Sequence, residues 1–160
     1  MPITFAPSLS RAGSAYAGQR VLICGASGNL GGHLARQLSR YDTRLLLWGR
    51  DCQKLAVIAD ECLRSGIEVK TRSVDLTDIE AAIAALIEDD ELEPIDCAFF
   101  VAGVGDTLQH GRIVENPAQI IRLGKVNFMA PAALSAELGE RMARRGHGRI
   151  AIAGTAAAAH

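Results

Sequence analysis

Short apolar runs alternate with amphipathic stretches along most of the chain. The runs predict buried strands, and the stretches between them, with apolar residues every three or four positions, predict helices. The predicted strands are 20–24, 44–48, 68–74, 95–101 and 149–153, and the predicted helices are 30–41, 53–64, 79–88, 118–128 and 131–145. Because parallel strands need crossover connections and are buried on both faces, this order predicts an α/β fold. We expect a Rossmann-type doubly wound parallel sheet in a three-layer α/β/α arrangement.

Two of the predicted helices carry more detailed signals. Leu30, Leu34 and Leu38 recur every four residues in the first helix, which predicts the face that this helix buries. Thr77 or Asp78 stands before the third helix and is its predicted N-cap, because a short polar side chain there can accept a bond from a first-turn amide.

The chain length sets the domain organisation. With 160 residues, of which 49% are hydrophobic, the chain has the size of one ordinary domain and enough apolar side chains for a core. Residues 1–18 are rich in Ser, Ala, Gly and Pro and are predicted to be an N-terminal tail. Residues 19–160 are predicted to form a single α/β domain.

The net charge and the cysteine content indicate which binding partners and which cellular compartment to expect. Seventeen basic and eighteen acidic residues leave a net charge of -1, so we expect neither nucleic acid nor a membrane surface as a partner. No run approaches the ~20 apolar residues that a membrane span needs. The four cysteines form no C-x-x-C pair and have no His at metal-ligand spacing. We therefore expect reduced thiols, no bound metal and a cytoplasmic protein.

A glycine-rich loop lies between the first predicted strand and the first predicted helix. A dinucleotide pyrophosphate needs a tight turn, outward-facing amides at a helix N-terminus and a small residue where the helix crosses the strand. Glycines at the first, fourth and seventh positions of the loop meet these needs. The predicted cofactor contacts are Gly25, Ser27, Gly28, Asn29, Leu30 and Gly31.

The end of the second predicted strand indicates which dinucleotide binds. A carboxylate there would bond the ribose 2′-hydroxyl of NAD, whereas small Gly49 followed by Arg50 leaves room for a 2′-phosphate and supplies a guanidinium to pair with it. Asp51 is the competing NAD candidate, about twenty residues beyond the last glycine, but an Asp before a helix is also a good N-cap. The sequence therefore favours NADP over NAD.

From about residue 20 to its last residue, the sequence resembles the short-chain dehydrogenase/reductase family. The glycine loop is similar to the family's, with Cys24 where a Thr is usual. Asp75 and Leu76 resemble the adenine-contacting turn that follows the third strand in the family. Phe100-Val101-Ala102-Gly103 ends the fourth strand where the family usually has Asn-Asn-Ala-Gly. Ala102 and Gly103, the pair that lets the cofactor pass, are therefore kept, but the two asparagines are not.

The same resemblance implies two catalytic candidates. Asn127 lies where a helix Asn supports the family's proton relay, and Thr155 follows the fifth strand where a Ser orients the substrate carbonyl. The family's Tyr-x-x-x-Lys pair does not occur in these 160 residues. We therefore expect a domain truncated after its fifth strand, which lacks the C-terminal catalytic and substrate portion and by itself binds cofactor without catalysis.

The resemblance implies an NADP(H)-dependent oxidoreductase of the carbonyl reductase or alcohol dehydrogenase type, with a small-molecule carbonyl or alcohol as substrate and a homo-oligomeric assembly. Two alternatives stay open. The glycine spacing and the missing asparagines suggest a non-catalytic NADP-binding regulator or redox sensor. Extended members of the family share the glycine spacing, which suggests a nucleotide-sugar epimerase or dehydratase.

Overall fold

The computed structural model describes residues 15–105 and 113–154. In these residues, five parallel strands form one sheet in the order β3-β2-β1-β4-β5. The strands are β1 (Arg20–Cys24), β2 (Arg44–Gly49), β3 (Glu68–Ser73), β4 (Cys97–Phe100) and β5 (Arg149–Ile152). The helices are α1 (Asn29–Leu38), α2 (Cys52–Leu63), α3 (Ile79–Leu92), α4 (Pro117–Gly124) and α5 (Ala130–Arg145). The Rossmann-type α/β fold is confirmed.

The sheet changes direction at its centre. Starting from β1, the chain builds outward through β2 to β3 and then crosses to the other side of β1 to form β4 and β5. Cys24, the last residue of β1, therefore lies between Trp48 of β2 and Phe100 of β4. Ligands of open α/β sheets bind in the crevice that such a switch point leaves at the carboxyl ends of the strands.

Successive residues of the central strands point into two separate apolar layers, as the pleat of a strand requires. One layer packs α1 and α2 against the sheet, and the other packs α3 and α5. The strand residues of the first layer include Val21, Ile23, Leu45 and Leu47, and those of the second include Leu22, Leu46, Trp48 and Ala98. These side chains are almost fully buried, so the middle of the sheet is the core of the domain.

The buried face of α1 differs from the predicted one. Leu30 is 59% exposed, and the residues that face the sheet are Gly31, Gly32, Ala35 and Leu38. A Cβ on Gly31 would overlap the carbonyl oxygen of Gly25, so the helix lies too close to the loop for a large side chain. The prediction from the leucine spacing was therefore wrong at Leu30, because close approach selected small residues instead.

The two C-terminal helices were predicted as separate, but the structure joins them. A π-helical turn, Lys125–Met129, links α4 to α5, and the amide of Ala130 donates to the carbonyl of Lys125 five residues back. Pro131 has no N–H for the carbonyl of Asn127, its partner in an ordinary α-helix. A wider turn at this point lets the helix continue through the proline.

Part of the predicted tail belongs to the domain. The ring of Tyr16 packs against Phe99, with 6.2 Å between ring centroids, and the Arg149 guanidinium lies 4.7 Å above it. Arg149 also donates to the carbonyl of Ala15 at 2.6 Å. Residues 15 and 16 of the predicted tail therefore contact the domain, and residues 1–14 lie outside the described residues.

Candidate functional site

A cleft of about 460 Å³ opens at the carboxyl ends of β1, β2 and β4. Most of the predicted cofactor contacts line it: Gly25, Ser27, Gly28, Asn29, Leu30, Gly31, Arg50, Leu76, Ala102 and Gly103. Asp75 is the exception, although its neighbours Val74 and Leu76 are lining residues. The chain thus brings together, at its switch point, residues that are far apart in the sequence.

The glycine loop is held against β2 and β4 by close backbone contacts. The carbonyl of Trp48 accepts from the amides of Gly25 at 2.9 Å and Ala26 at 2.8 Å, and the buried Trp48 indole donates to Asp89 at 2.9 Å. Gly25 has a φ of 102°, and a Cβ there would lie 2.5 Å from the amide nitrogen of Ala102. Only glycine meets both demands, so the loop passes β4 without an intervening side chain.

The helix that begins at this loop has no side-chain cap. Gly28 is the N-cap of α1 and offers no side chain, whereas α2, α3 and α4 are capped by Asp51, Asp78 and Asn116. The prediction of Asp78 as a cap is confirmed. First-turn amides of α1 therefore face the cleft with the positive end of the helix dipole, which is an arrangement suited to an anion.

The end of β2 combines a packed glycine with an exposed cation. A Cβ on Gly49 would lie 2.5 Å from the Ser27 hydroxyl oxygen, so the chain has no space for a carboxylate side chain at this position. Arg50 follows at the rim of the cleft and is exposed. Asp51 accepts from the Lys54 amide at 3.0 Å as the cap of α2. The geometry gives Asp51 a structural task as a helix cap, whereas Arg50 has no such task in the helix and stands exposed at the rim.

Asp75 and Leu76 take different positions beside the cleft. Leu76 is buried and lines the cleft wall. The carboxylate of Asp75 is exposed and accepts from the Thr77 amide at 2.9 Å, which is the main reason that the pKa of this carboxyl lies below its ordinary value. Asp75 is thus an ionised acceptor near the rim, and the adenine contact stays a prediction.

Asn127 uses both ends of its amide on one residue of the β4 loop. Its Oδ1 accepts from the amide of Val104 at 2.8 Å, and its Nδ2 donates to the carbonyl of Val104 at 2.8 Å. The π turn is therefore joined to the segment that follows β4. Thr155, the other catalytic candidate, lies outside the described residues.

Cys24 is the thiol nearest to the cofactor loop, and it lies in the cleft wall at the end of β1. Burial raises the pKa of this thiol to about 12, so it is protonated at neutral pH. A protonated thiol is a poor nucleophile, and the side chain therefore contributes packing. All four cysteines fall within the described residues and are free.

Several lining residues were missed in the sequence. Lys54 lies three positions after Asp51 in the first turn of α2, a spacing that the sequence does reveal. Val104 and Val126 come from segments that only the folded chain brings together.

Within 15–105 and 113–154, no group of three His, Cys, Asp or Glu side chains is placed to hold a metal ion. In the same ranges, no helix has the length and apolar character to cross a bilayer.

Known proteins share this architecture. A family model described as short chain dehydrogenase matches residues 19–159. A 3-oxoacyl-(acyl-carrier-protein) reductase of Rickettsia bellii is 30% identical over 134 residues, which are 83% of this chain and 52% of that relative. The chain spans about half the length of the curated relatives it matches.

Two solved structures are similar over most of the chain. A metagenomic short-chain oxidoreductase in complex with NADP has a TM-score of 0.81 and 27% identity, and the match covers 89% of this chain and 65% of that one. A short-chain dehydrogenase from Sphingobium yanoikuyae in complex with NADPH has a TM-score of 0.78 and 30% identity, and the match covers 86% of this chain and 54% of that one.

Proposed function

The chain belongs to the short-chain dehydrogenase family, and from that premise we propose that it forms the cofactor-binding part of an oxidoreductase that uses NADP(H). The observation that carries the choice of cofactor is the contact between Gly49 and Ser27. Because a Cβ at Gly49 would overlap the Ser27 hydroxyl, the strand end has no room for the carboxylate that would read a free 2′-hydroxyl. Arg50 stands next to this position with its guanidinium exposed.

The residues of the cleft fit a dinucleotide in three further respects. The uncapped first turn of α1 suits a pyrophosphate, which carries negative charge. Gly25 and Gly31 lie where a Cβ would overlap neighbouring backbone, so no side chain blocks the loop. Ala102 and Gly103 give β4 a small end on the other side of the cleft. The two NADP-bound relatives of known structure support the same assignment.

When bound, NADP(H) supplies or accepts the hydride that converts a carbonyl and an alcohol into each other. In this proposal the amides of the glycine loop hold the pyrophosphate, Arg50 pairs with the 2′-phosphate and Leu76 packs against the adenine. Asn127 is a positioning residue, because its amide is already bonded to Val104 and fixes the loop after β4. Thr155 keeps the carbonyl-orienting role that the family resemblance implies.

The activity of the whole protein is part of this proposal. We propose a small carbonyl compound or alcohol as the substrate, in line with the reductase of Rickettsia bellii among the relatives. We also propose a cytoplasmic location, for which three buried free thiols and one exposed free thiol are the support.

We further propose that the protein assembles as a homo-oligomer. Apolar side chains are exposed along residues 113–129, among them Ile121 at 62% and Phe128 at 73%. Exposed apolar side chains in such density are typical of surfaces that contact other protein. A second copy is the partner that the resemblance implies.

Titration of NADPH and NADH tests the cofactor assignment. The wild-type chain is expected to bind NADPH with a micromolar Kd, which corresponds to about 8 kcal/mol. Because a hydrogen bond to a charged group contributes about 1.5–3 kcal/mol, Arg50→Ala is expected to weaken NADPH binding by roughly ten- to a hundredfold and to leave NADH binding unchanged. Arg144→Ala, which removes an exposed cation on α5, is the matched control. An Arg50→Ala chain that retains wild-type affinity for NADPH refutes the 2′-phosphate assignment.

A further inference from the structure

A carboxylate stands at the very place where the proposed cofactor would bring a phosphate. Asp51 lines the cleft beside Arg50 and is exposed by more than a third of its side chain. The hydrogen bond from the Lys54 backbone amide lowers the pKa of the Asp51 carboxyl, so this group is ionised at neutral pH. An uncompensated carboxylate here would repel a 2′-phosphate and would attract a free 2′-hydroxyl.

Lys54 engages both oxygens of that carboxylate. Its backbone amide donates to Asp51 Oδ1 at 3.0 Å, and its Nζ lies 3.4 Å from Oδ2. The first contact caps α2 and needs no particular side chain at position 54, whereas the second depends on the lysine. Among the described residues that line the cleft, Asp51 is the one with a negative charge, and the ammonium of Lys54 pairs with it.

Lys54 also lines a second groove, which lies between α1 and α2 and continues from the cleft. This groove has a volume of about 460 Å³ and shares Ser27, Gly28, Asn29 and Lys54 with the cleft. It adds His33, Arg36, Gln53, Val57 and Ile58, so in the part of the chain that the structure describes its lining contains cations and no carboxylate. Arg36 is paired with Glu61 at 2.6 Å, which leaves Lys54 as the cation common to both cavities.

We propose that Lys54 is a residue that determines the preference for NADP(H) over NAD(H), because it cancels the charge of Asp51 and faces the 2′-phosphate from the groove between α1 and α2. This inference rests on the proposed function. Two cations, Arg50 and Lys54, and two carboxylates, Asp51 and Asp75, stand at or near the rim of the cleft, and the charge of Arg50 acts on Asp75. Without Lys54, the Asp51 carboxylate loses its side-chain partner and becomes free to accept from a ribose hydroxyl.

The test measures the Kd of NADPH, NADH and adenosine 2′,5′-bisphosphate by calorimetry for the full chain and its variants. Lys54→Gln is expected to weaken the binding of NADPH and of the bisphosphate about fivefold, which corresponds to about 1 kcal/mol. The binding of NADH is expected to be unchanged or slightly tighter. Adding Asp51→Asn, which keeps a capping side chain, is expected to restore most of the NADPH affinity because the repelling charge is gone. The effect of Lys54→Gln is expected to shrink in 1 M salt.

Two controls separate this role from a structural one. Lys54→Arg keeps the charge and is expected to retain the wild-type ratio of NADPH to NADH affinity. Lys70→Gln removes a lysine that is also paired with a carboxylate but lies on β3 away from the cleft, and it is expected to change neither affinity.

The outcomes distinguish this inference from the proposed function. If the wild type binds neither dinucleotide, or prefers NADH, the proposed function itself fails. A second case is that the wild type prefers NADPH and that this preference depends on Arg50. If Lys54→Gln then weakens the binding of NADPH and of NADH equally, or changes the binding of neither, the specificity role of Lys54 is overturned and the proposed function stands.

Discussion

β3 and β5 are the two edges of the described sheet, and they present different side chains to solvent. β3 carries charged residues, with Lys70 paired to Glu68 at 3.1 Å and Arg72 paired to Asp89 at 3.1 Å. β5 has the sequence RIAI, and Ile152 at its end is 54% exposed. Charge on an edge strand prevents pairing with other chains.

The two halves of the sheet differ in the apolar surface that their edges expose. The half built from β1, β2 and β3 ends in a polar edge strand. The half built from β4 and β5 leaves apolar side chains exposed, both on β5 and along residues 113–129. The proposed cofactor contacts lie mainly on the first half, so we expect cofactor binding to depend mainly on that half.

Gly25→Ala breaks the contact between the two halves and has the largest expected effect. The new Cβ meets Ala102 at the end of β4, and a φ of 102° is strained for alanine. We expect a loss of about 4 kcal/mol in the free energy of unfolding, from strain and overpacking together, and a loss of NADPH binding. Urea denaturation and NADPH titration measure these effects.

Gly124→Ala is the control, because its helical glycine has no atom within 4 Å of the new Cβ and alanine favours helix. Equal stabilities of the Gly25→Ala and Gly124→Ala chains would contradict the close contact between Gly25 and β4.

Leu47→Ala and Phe128→Ser sharpen the contrast between the halves. Leu47 is fully buried in β2, so its truncation is expected to cost about 3 kcal/mol in unfolding free energy.

Phe128 is 73% exposed, so Phe128→Ser is expected to change the stability of an isolated subunit by less than about 0.5 kcal/mol. In sedimentation, Phe128→Ser is expected to reduce the mass of the assembly. An oligomer of unchanged mass and affinity argues against the proposed contact along residues 113–129.

The buried thiols give a smaller expected effect than the Gly25→Ala and Leu47→Ala substitutions. Burial raises the pKa of Cys24 in β1 to about 12 and that of Cys97 in β4 to about 11. In the unfolded chain these thiols release protons near pH 8.5 to 9, so their contribution to stability is present below that range and is lost as the pH rises toward the folded-state values. Between pH 8.5 and 10 we expect a loss of about 1 kcal/mol per thiol.

Comparison with Cys97→Ala isolates this contribution, because the other titrating groups are common to both chains. The unfolding free energy of the variant is expected to fall less steeply over the same pH range. Parallel pH profiles of the two chains would show that Cys97 does not stay protonated in the folded protein.

The fold was predictable because its signals are local. Every strand except the polar edge strand β3 is a short apolar run, and Asp51, Asp78 and the glycine loop mark where helices begin. The cleft followed from the rule that parallel strands bring their carboxyl ends to one edge. The position of Gly49 and Arg50 at the cleft was predictable because they are adjacent to the end of a predicted strand.

The remaining features depend on distances that no sequence pattern contains. The close packing of Gly31 on Gly25 leaves Leu30 exposed, whereas Leu34 and Leu38 of the same row contact the core. The pairing of Asn127 with Val104 joins residues 23 positions apart through a loop. Tyr16 was assigned to a tail because its partner Arg149 lies near the other end of the chain.

The π turn between α4 and α5 has a consequence for insertions and deletions. A π turn contains one residue more than the α-helical turn it replaces, so the wider turn takes up that residue without changing the winding phase of α5. Deleting one residue of Lys125–Met129 leaves enough residues for an ordinary α-helical turn, and Leu134, Leu138 and Met142 still face the sheet. Deleting one residue at the start of α5 itself would instead rotate the rest of the helix by about 100° and turn these three side chains away from the sheet.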